Sequence, residues 1–529
     1  LTAARSRATL EVVRLVIVHF HLRPGGVRRV IELAAPFLAG NSDAPLEAIT
    51  LAVGEPPELS WLEEFRKSIP GVPVTLFHDP ALGYQAPKPH GETPVSRRLK
   101  TAFDRLFHGM RDAVVWCHNP CVGRNLALAR ELVRAASARS IPLIFHHHDW
   151  WFDNRWGRWP EIRQAGFRSF REALDAIFPA AAGIAHATIN SEDTIALEAC
   201  HPGAVEWIPN LAIRPPTVSR TRVAAARQWL HDRIPAPGAP VWLAPCRLLR
   251  RKNLAESILL TCWVAPGAWL LTTGGPSSPQ EQACARALES AARKHQLPVR
   301  LGCLAGIETP TVPELLAACD AVVITSILEG FGLPFLEASA AGRPLFARRL
   351  PNIAPDLDRF GFEFPQAYDE LWIPPTVFDW QAEAERQARL YQTWKRQLPR
   401  PCQSLAAPPR LPTLSRPEPV PFSRLTLSAQ LEVLSLPATE SWNACAALNP
   451  RIAQWRERWA SGALEATPWP HDAETRLGGR IYAQRFFSAV ARARALTRPL
   501  KPMKDAQMRF IASRLDASHQ YPLLWFENT

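Results

Sequence analysis

Between residues 10 and 212, short apolar runs bounded by polar, Gly and Pro residues alternate with longer stretches of helical period. Strands are predicted at Val12 to His19, Leu46 to Val53, Val72 to Phe77, Ala113 to Trp116, Leu143 to Phe145, Ile184 to Ile189 and Val205 to Ile208. A Pro- and Arg-rich stretch from 213 to 240 reads as a linker with one helix. A second series follows at Val241 to Ala244, Trp269 to Thr272, Val299 to Leu301, Ala321 to Thr325 and Pro344 to Ala347. Such alternation predicts an α/β fold of two doubly wound domains, each a mostly parallel sheet with helices on both faces. Ligands of such sheets bind outside the carboxyl ends of the strands. The predicted domains are 1–215 and 216–400. Residues 401–529, proline-rich from Pro401 to Pro421 and helical beyond, form an extension.

Composition narrows the class. A chain of 529 residues with 47% hydrophobic and 21% charged side chains suits two or three globular domains and excludes a disordered chain. No apolar run approaches the roughly 20 residues of a membrane span. Val12 to His19 is too short for a secretory signal and holds Arg14. Ten cysteines without paired metal spacing suggest free thiols and a cytoplasmic compartment. The net charge of +12 favours anionic partners. No basic block with interleaved aromatics accompanies it, so nucleic acid is not expected. Peripheral contact with acidic lipid at the inner membrane face is the alternative use of that charge.

The most informative segment is Glu329-Gly-Phe-Gly-Leu-Pro-Phe-Leu-Glu337. It follows a predicted buried strand and opens a predicted helix, so Gly330, Phe331, Gly332 and Leu333 form a strand-to-helix turn. The free N–H groups of that turn suit a diphosphate. Glu329 before the turn and Glu337 inside the helix face the same side, one for a sugar hydroxyl and the other for a ribose. Either carboxylate alone reads equally well as an acidic helix start. A second glycine turn, Gly25-Gly26 after the first strand, offers backbone amides to a phosphate. A basic loop, Cys246-Arg-Leu-Leu-Arg-Arg-Lys-Asn253, follows the first strand of the second series, with Arg250 and Arg251 read as solvated and Asn253 as a helix cap.

With these motifs the sequence resembles the retaining nucleotide-sugar glycosyltransferases of family 4, which have the GT-B fold of two Rossmann-like domains facing across a cleft. The resemblance covers roughly residues 10 to 400, and it implies that the extension beyond, 401–529, returns to the first domain. It implies a hexosyltransferase that moves a hexose from a nucleoside-diphosphate sugar to an acceptor hydroxyl with retention. Glu329 would orient the sugar, Glu337 hold the ribose, and Arg247 and Lys252 the diphosphate. The matching histidine, His118 in Val114-Val-Trp-Cys-His118, would contact the donor sugar and contribute to catalysis. The co-substrate is the nucleotide sugar; no cofactor and no metal are expected, because fixed cations stabilise the leaving group. The acceptor would be a sugar, a glycan or a lipid-linked sugar. The same fold also hosts epimerases and hydrolases, and a catalytically silent sugar-nucleotide scaffold is the reading from another class.

One segment stands outside the resemblance. His146-His-His-Asp-Trp-Trp-Phe-Asp-Asn-Arg-Trp-Gly-Arg-Trp159 places flat rings beside polar groups at a strand end. His148, Asp149, Trp150, Trp151, Asp153 and Arg155 are therefore the candidate acceptor residues, with Gly123 to Asn125 at their border. A packed lid is the competing reading of the tryptophans. Consecutive strand residues alternate faces, so only His146 and His148 are expected to converge, which is too few for a metal site.

Overall fold

The computed structural model describes residues 13–40, 45–85, 95–110, 112–307 and 309–525. Its contacts divide the chain into two compact units. The first comprises Leu1–Ile213, Gln397–Ser404 and Glu474–Arg514; the second comprises Arg214–Arg396, Leu405–Ala473 and Leu515–Thr529.

The first unit is built on seven parallel strands in the order β3-β2-β1-β4-β5-β6-β7. They are β1 Val13–His21, β2 Leu46–Glu55, β3 Val74–His78, β4 Ala113–His118, β5 Leu143–His147, β6 Ile184–Thr188 and β7 Val205–Trp207. Near-continuous apolar runs in β1, β4 and β5 fit strands covered on both faces. One face packs on the helix Gly26–Ala39 and on the late helix Gly479–Ala495, whose Tyr482, Phe486 and Val490 join the core of Leu15, Ile17 and Trp116. The strand order reverses between β1 and β4. Ligands of doubly wound sheets bind at such a reversal.

The second unit repeats the plan with six strands in the order β10-β9-β8-β11-β12-β13. These are β8 Val241–Arg247, β9 Trp269–Gly274, β10 Val299–Arg300, β11 Ala321–Ile324, β12 Leu345–Arg348 and β13 Gln366–Tyr368. All their pairings are parallel. Here the reversal lies between β8 and β11.

The residues after 400 divide between the two cores rather than returning as a whole to the first. Phe422, Leu425, Val433, Trp442 and Trp455 complete the core of the second unit, and residues 474–514 pack with the first. Two Rossmann-like parallel-sheet domains with helical C-terminal content give the GT-B fold class. Edge strand β13 has no counterpart among the predicted strands, because Gln366-Ala-Tyr368 lacks an apolar run.

Candidate active site

At the reversal point of the second sheet, the loop after β8 and the loop after β11 are tied together. Ile327 N donates to Arg251 O at 2.8 Å, and Thr325 Oγ1 donates to the carbonyls of Lys252 and Asn253 at 2.9 and 3.0 Å. Asn253 adopts φ +48°, in the left-handed region that asparagine tolerates. Its side chain does not cap the following helix, as the sequence reading had it. It donates instead to Glu256 Oε2 at 2.7 Å, inside a buried cluster of Glu256, Arg348 and Tyr368. The backbone that carries Lys252 is therefore fixed from below.

Glu329 sits over that junction with only 7% of its side chain exposed. Its Oε1 accepts from Lys252 Nζ and, at 2.7 Å, from Ser326 Oγ, while Oε2 accepts from Arg251 Nη1 at 2.7 Å. Burial alone would raise its pKa. The charges of Arg251 and Lys252 and the hydrogen bonds overcome it and bring the carboxyl to about 2. Glu329 is thus a permanent carboxylate, neither a proton donor nor a useful base at neutral pH. Asn352 Nδ2 holds its carbonyl at 2.7 Å.

Behind it, Gly332 caps the helix Leu333–Ala341 at φ +91°. That φ favours glycine, and a Cβ there would also come within 2.9 Å of Ile353 Cδ1. No side chain caps this helix, which leaves the first-turn amides to the turn itself. Glu337 lies on the same helix, half-buried. Arg247 is exposed at the end of β8; a Cβ on Gly274 would fall 2.7 Å from its Cγ, so the glycine lets the stem lie flat on β9.

Two basic residues differ from expectation. Arg250 and Arg251 are not solvated neighbours. Arg251 pairs with Glu329, and Arg250 pairs with Glu281 at 3.3 Å and donates to the Leu524 carbonyl at 2.8 Å. The latter contact brings the C-terminal segment into the site, where Tyr521 and Leu523 bury against Ile327, two residues before Glu329.

In the first unit, Gly25 and Gly26 start the helix Gly26–Ala39, with no side-chain cap. A Cβ on Gly26 would meet nothing within 4 Å, so the turn is open. His118 ends β4, opposite His146 in register, and is buried. His19 Nδ1 donates to the His118 carbonyl at 3.0 Å, and His118 Nδ1 shares one proton with His148 Nε2 at 3.0 Å. Burial first, then the neighbouring imidazoles, holds His118 well below its usual pKa, and burial brings His148 to about 4 and His19 to about 3.

Three histidines converge here rather than the two expected, because the third comes from the neighbouring strand. One nitrogen each from His118, His146 and His148 falls within 4.8 Å of the others. Hydrogen bonds occupy His146 Nδ1, His118 Nδ1 and His148 Nε2, while His118 Nε2 and His146 Nε2 are buried without a hydrogen-bond partner among the described residues. The Trp116 indole N–H, which only donates, is 3.1 Å from His146 Nδ1, so that lone pair is used and Nε2 carries the proton. Burial keeps the three imidazoles neutral.

Trp150 and Trp151 are wholly buried, which corrects the picture of rings open to a sugar face. Trp150 donates to Asp193 Oδ2 at 3.0 Å and Trp151 to the Arg155 carbonyl at 3.0 Å. Asp153 accepts from Trp150 N at 2.9 Å and lies 3.7 Å from Arg514; burial raises its pKa to about 6 against the pull of that arginine. What the tryptophans support is a polar rim. Asp149 accepts from Asn119 Nδ2 at 3.3 Å and lies 3.6 Å from Arg155, and both are partly exposed. Arg251, Ser326, Asn352 and Asn119 were missed from sequence. Only Ser326 had a signal, a hydroxyl directly after the strand that leads to Glu329.

Residues 237–392 match the family described as Glycosyl transferases group 1. Mannosylglucosyl-3-phosphoglycerate synthase of Petrotoga mobilis is 25% identical over 356 residues, which is 64% of this chain and 65% of that protein. The chain thus matches about 65% of the length of that curated relative. Among solved structures, the N-terminal domain of Candida albicans trehalose-6-phosphate phosphatase is similar with a TM-score of 0.50 and 12% identity, over 93% of this chain and 99% of that one. Anabaena HepE in complex with UDP-glucose gives a TM-score of 0.46 and 16% identity, over 85% and 99%. The family match supports a glycosyltransferase.

Proposed function

We propose that the chain is a retaining GT-B hexosyltransferase that moves a hexose from a nucleoside-diphosphate sugar to an acceptor hydroxyl. The observation that carries this is the cluster of Arg251, Lys252 and Glu329 at the reversal point of the second sheet, directly before the Gly332 turn. As the glycosidic bond breaks, negative charge grows on the leaving diphosphate. Lys252 and Arg247, with the first-turn amides after Gly332, meet that charge without a divalent ion.

Glu329 holds the cations in place. A carboxylate has about four acceptor positions, and three partners occupy it, which leaves one for a sugar hydroxyl. Glu337 takes the ribose. Gly25 and Gly26 supply backbone amides to the donor, and the buried, neutral His118 acts as a hydrogen-bonding group rather than an acid. The proton of the acceptor hydroxyl passes to the leaving phosphate, so no protein nucleophile is required. Asp149, Arg155 and His148 receive the acceptor, with Trp150, Trp151 and Asp153 fixing them from beneath. The proposed setting is cytoplasmic, at or near the inner membrane face. Among the described residues no helix is long and apolar enough to cross a membrane.

The test is release of nucleoside diphosphate from UDP-, GDP- and ADP-hexoses, each with and without candidate acceptors. Acceptor-dependent release is the expected result. Release that ignores the acceptor would mean a hydrolase, and binding without turnover would mean a silent scaffold.

A further inference from the structure

Arg124, Arg155 and Arg158 lie beside the proposed acceptor residues, with the carboxylates of Asp149, Asp153 and Glu161 around them. Arg158 Nη1 pairs with Glu161 at 2.6 Å, and Arg155 lies 3.6 Å from Asp149. Arg124, half-buried, has no carboxylate within bonding distance among the described residues. Its guanidinium lies over the exposed Tyr84 ring, 5.1 Å from the centroid. Gly123, next to Arg124, lies on the Trp151 ring, and the Trp151 indole donates to the Arg155 carbonyl at 3.0 Å, which brings Arg124 and Arg155 to the same rim. Arg124 is lowered by burial and then by Arg155, and Arg158 is brought to about 10 by burial and then by Arg124.

The cluster is built rather than loose. Trp151 N donates to the Cys121 carbonyl at 2.8 Å, and Gly123, at φ +74°, lies flat on the Trp151 ring, where a Cβ would be 2.8 Å from Cδ1. Asn125 Nδ2 donates to the Ala81 and Gly83 carbonyls at 3.0 and 2.8 Å, and Gln85 N donates to Arg124 O at 3.0 Å, which fixes Tyr84 beside Arg124. Arg155 Nη1 donates to the Trp150 carbonyl at 2.9 Å. Like charges held together on a rigid base are costly unless an anion joins them.

We infer that Arg124, Arg155 and Arg158, with Tyr84, form an oxyanion subsite for a phosphate or carboxylate carried by the acceptor. The inference rests on the acceptor reading above and deepens it: the acceptor is a negatively charged molecule. Guanidinium forks suit phosphate and carboxylate geometry better than they suit neutral hydroxyls. Tyr84, 39% exposed, borders the subsite with Arg124 over its ring.

The experiment measures inorganic phosphate binding to the full chain by thermal shift and tryptophan fluorescence, without donor. Arg124→Gln should weaken phosphate roughly tenfold or more, and Arg124→Lys should restore part of it. Lys252→Ala should leave the Arg124-dependent part of this binding intact, which separates it from any phosphate held at the donor clamp; Arg168→Gln, a change at an exposed arginine elsewhere in the unit, is the control. In the absence of phosphate, Arg124→Gln should not lower the melting temperature, because a like-charge contact is relieved. Phosphate binding that survives Arg124→Gln but disappears in Lys252→Ala would overturn the subsite. Vesicles of phosphatidylglycerol and of phosphatidylcholine separate the sources of the anion. Arg124-dependent binding to the former assigns a lipid headgroup, and phosphate binding without vesicle binding assigns a soluble acceptor. Arg124-dependent phosphate binding in a protein that never transfers sugar would sink the transferase reading and leave the subsite standing.

Discussion

Arg251 Nη1 lies 2.7 Å from Glu329 Oε2, although 78 positions separate the two residues along the chain. Lys252 takes the other oxygen of the same carboxylate. The pairing ties Glu329 to both cations, and in the proposed reading the same carboxylate is also a contact for the donor. Glu329→Gln should therefore impair turnover while the fold persists. It should also loosen the two cations, so that nucleoside diphosphate affinity changes less than in Lys252→Ala.

Removing a clamp cation has a different signature. A charge-assisted hydrogen bond is worth about 1.5–3 kcal/mol, so Lys252→Ala or Arg247→Ala should lower kcat/KM roughly ten- to a hundred-fold. Glu337→Gln should weaken the free nucleoside diphosphate and spare phosphate-only ligands, since it is assigned to the ribose. Steady-state kinetics and nucleotide titrations on the same proteins decide this. Added magnesium should leave the rate unchanged, and a strict magnesium requirement would contradict the assignment of the leaving-group charge to side chains.

Much of the fold was legible because parallel strands buried on both faces announce themselves as apolar runs. The Ala113 and Leu143 runs became β4 and β5, and the switch-point glycines fell at the helix starts that follow β1 and β11. The pairing of Arg251 was not legible. Arg250, Arg251 and Lys252 share one short basic run, and only the position of the Ser326–Glu329 loop decides which of them meets a carboxylate. Burial of Trp150 and Trp151 was hidden for a related reason. A tryptophan-rich loop after a strand reads as surface until the loop ending at Gly123 and the acidic Asp193 are seen to close over it.

The C-terminal segment braces the clamp from outside. Leu523 is 5% exposed, packed with Tyr521 on Ile327, and the Leu524 carbonyl receives Arg250. Leu523→Ala should therefore reduce kcat/KM roughly ten- to a hundred-fold through misplacement of the loop that carries Glu329. Leu523→Met, which keeps the volume, should restore most of it. A loss of melting temperature with unchanged kinetics would reduce the segment to packing alone.

His186 and His201 set a pH dependence. Their rings stack at 4.3 Å, and neither nitrogen of His201 finds a hydrogen-bond partner among the described residues. Burial holds His186 well below its ordinary pKa and His201 at about 4. The unfolded chain takes up protons near pH 6.5 and the folded chain does not, so stability is full above about 6.5 and falls as pH drops toward the folded values. Each such histidine adds a slope of about 1.4 kcal/mol per pH unit in that window. His201→Phe should flatten the fall in melting temperature between pH 7 and pH 5. Parallel curves for the two proteins would show that His201 is protonated in the folded state.

Trp151 and Asp149 separate packing from recognition at the acceptor rim. Trp151 is wholly buried and forms the base on which Gly123 lies, so Trp151→Ala should cost about 3–5 kcal/mol of stability. Any kinetic loss in that variant should come together with a loss of melting temperature, because Trp151 acts only through the residues it supports. Asp149 is 40% exposed at its side chain and holds Asn119 and Arg155. Asp149→Asn should barely move the melting temperature, yet raise the acceptor KM while nucleoside diphosphate affinity stays unchanged. The two variants are to be measured side by side, melting temperature against acceptor kinetics. If Asp149→Asn leaves the acceptor KM unchanged, the rim is a lid held by its tryptophans and the acceptor binds elsewhere.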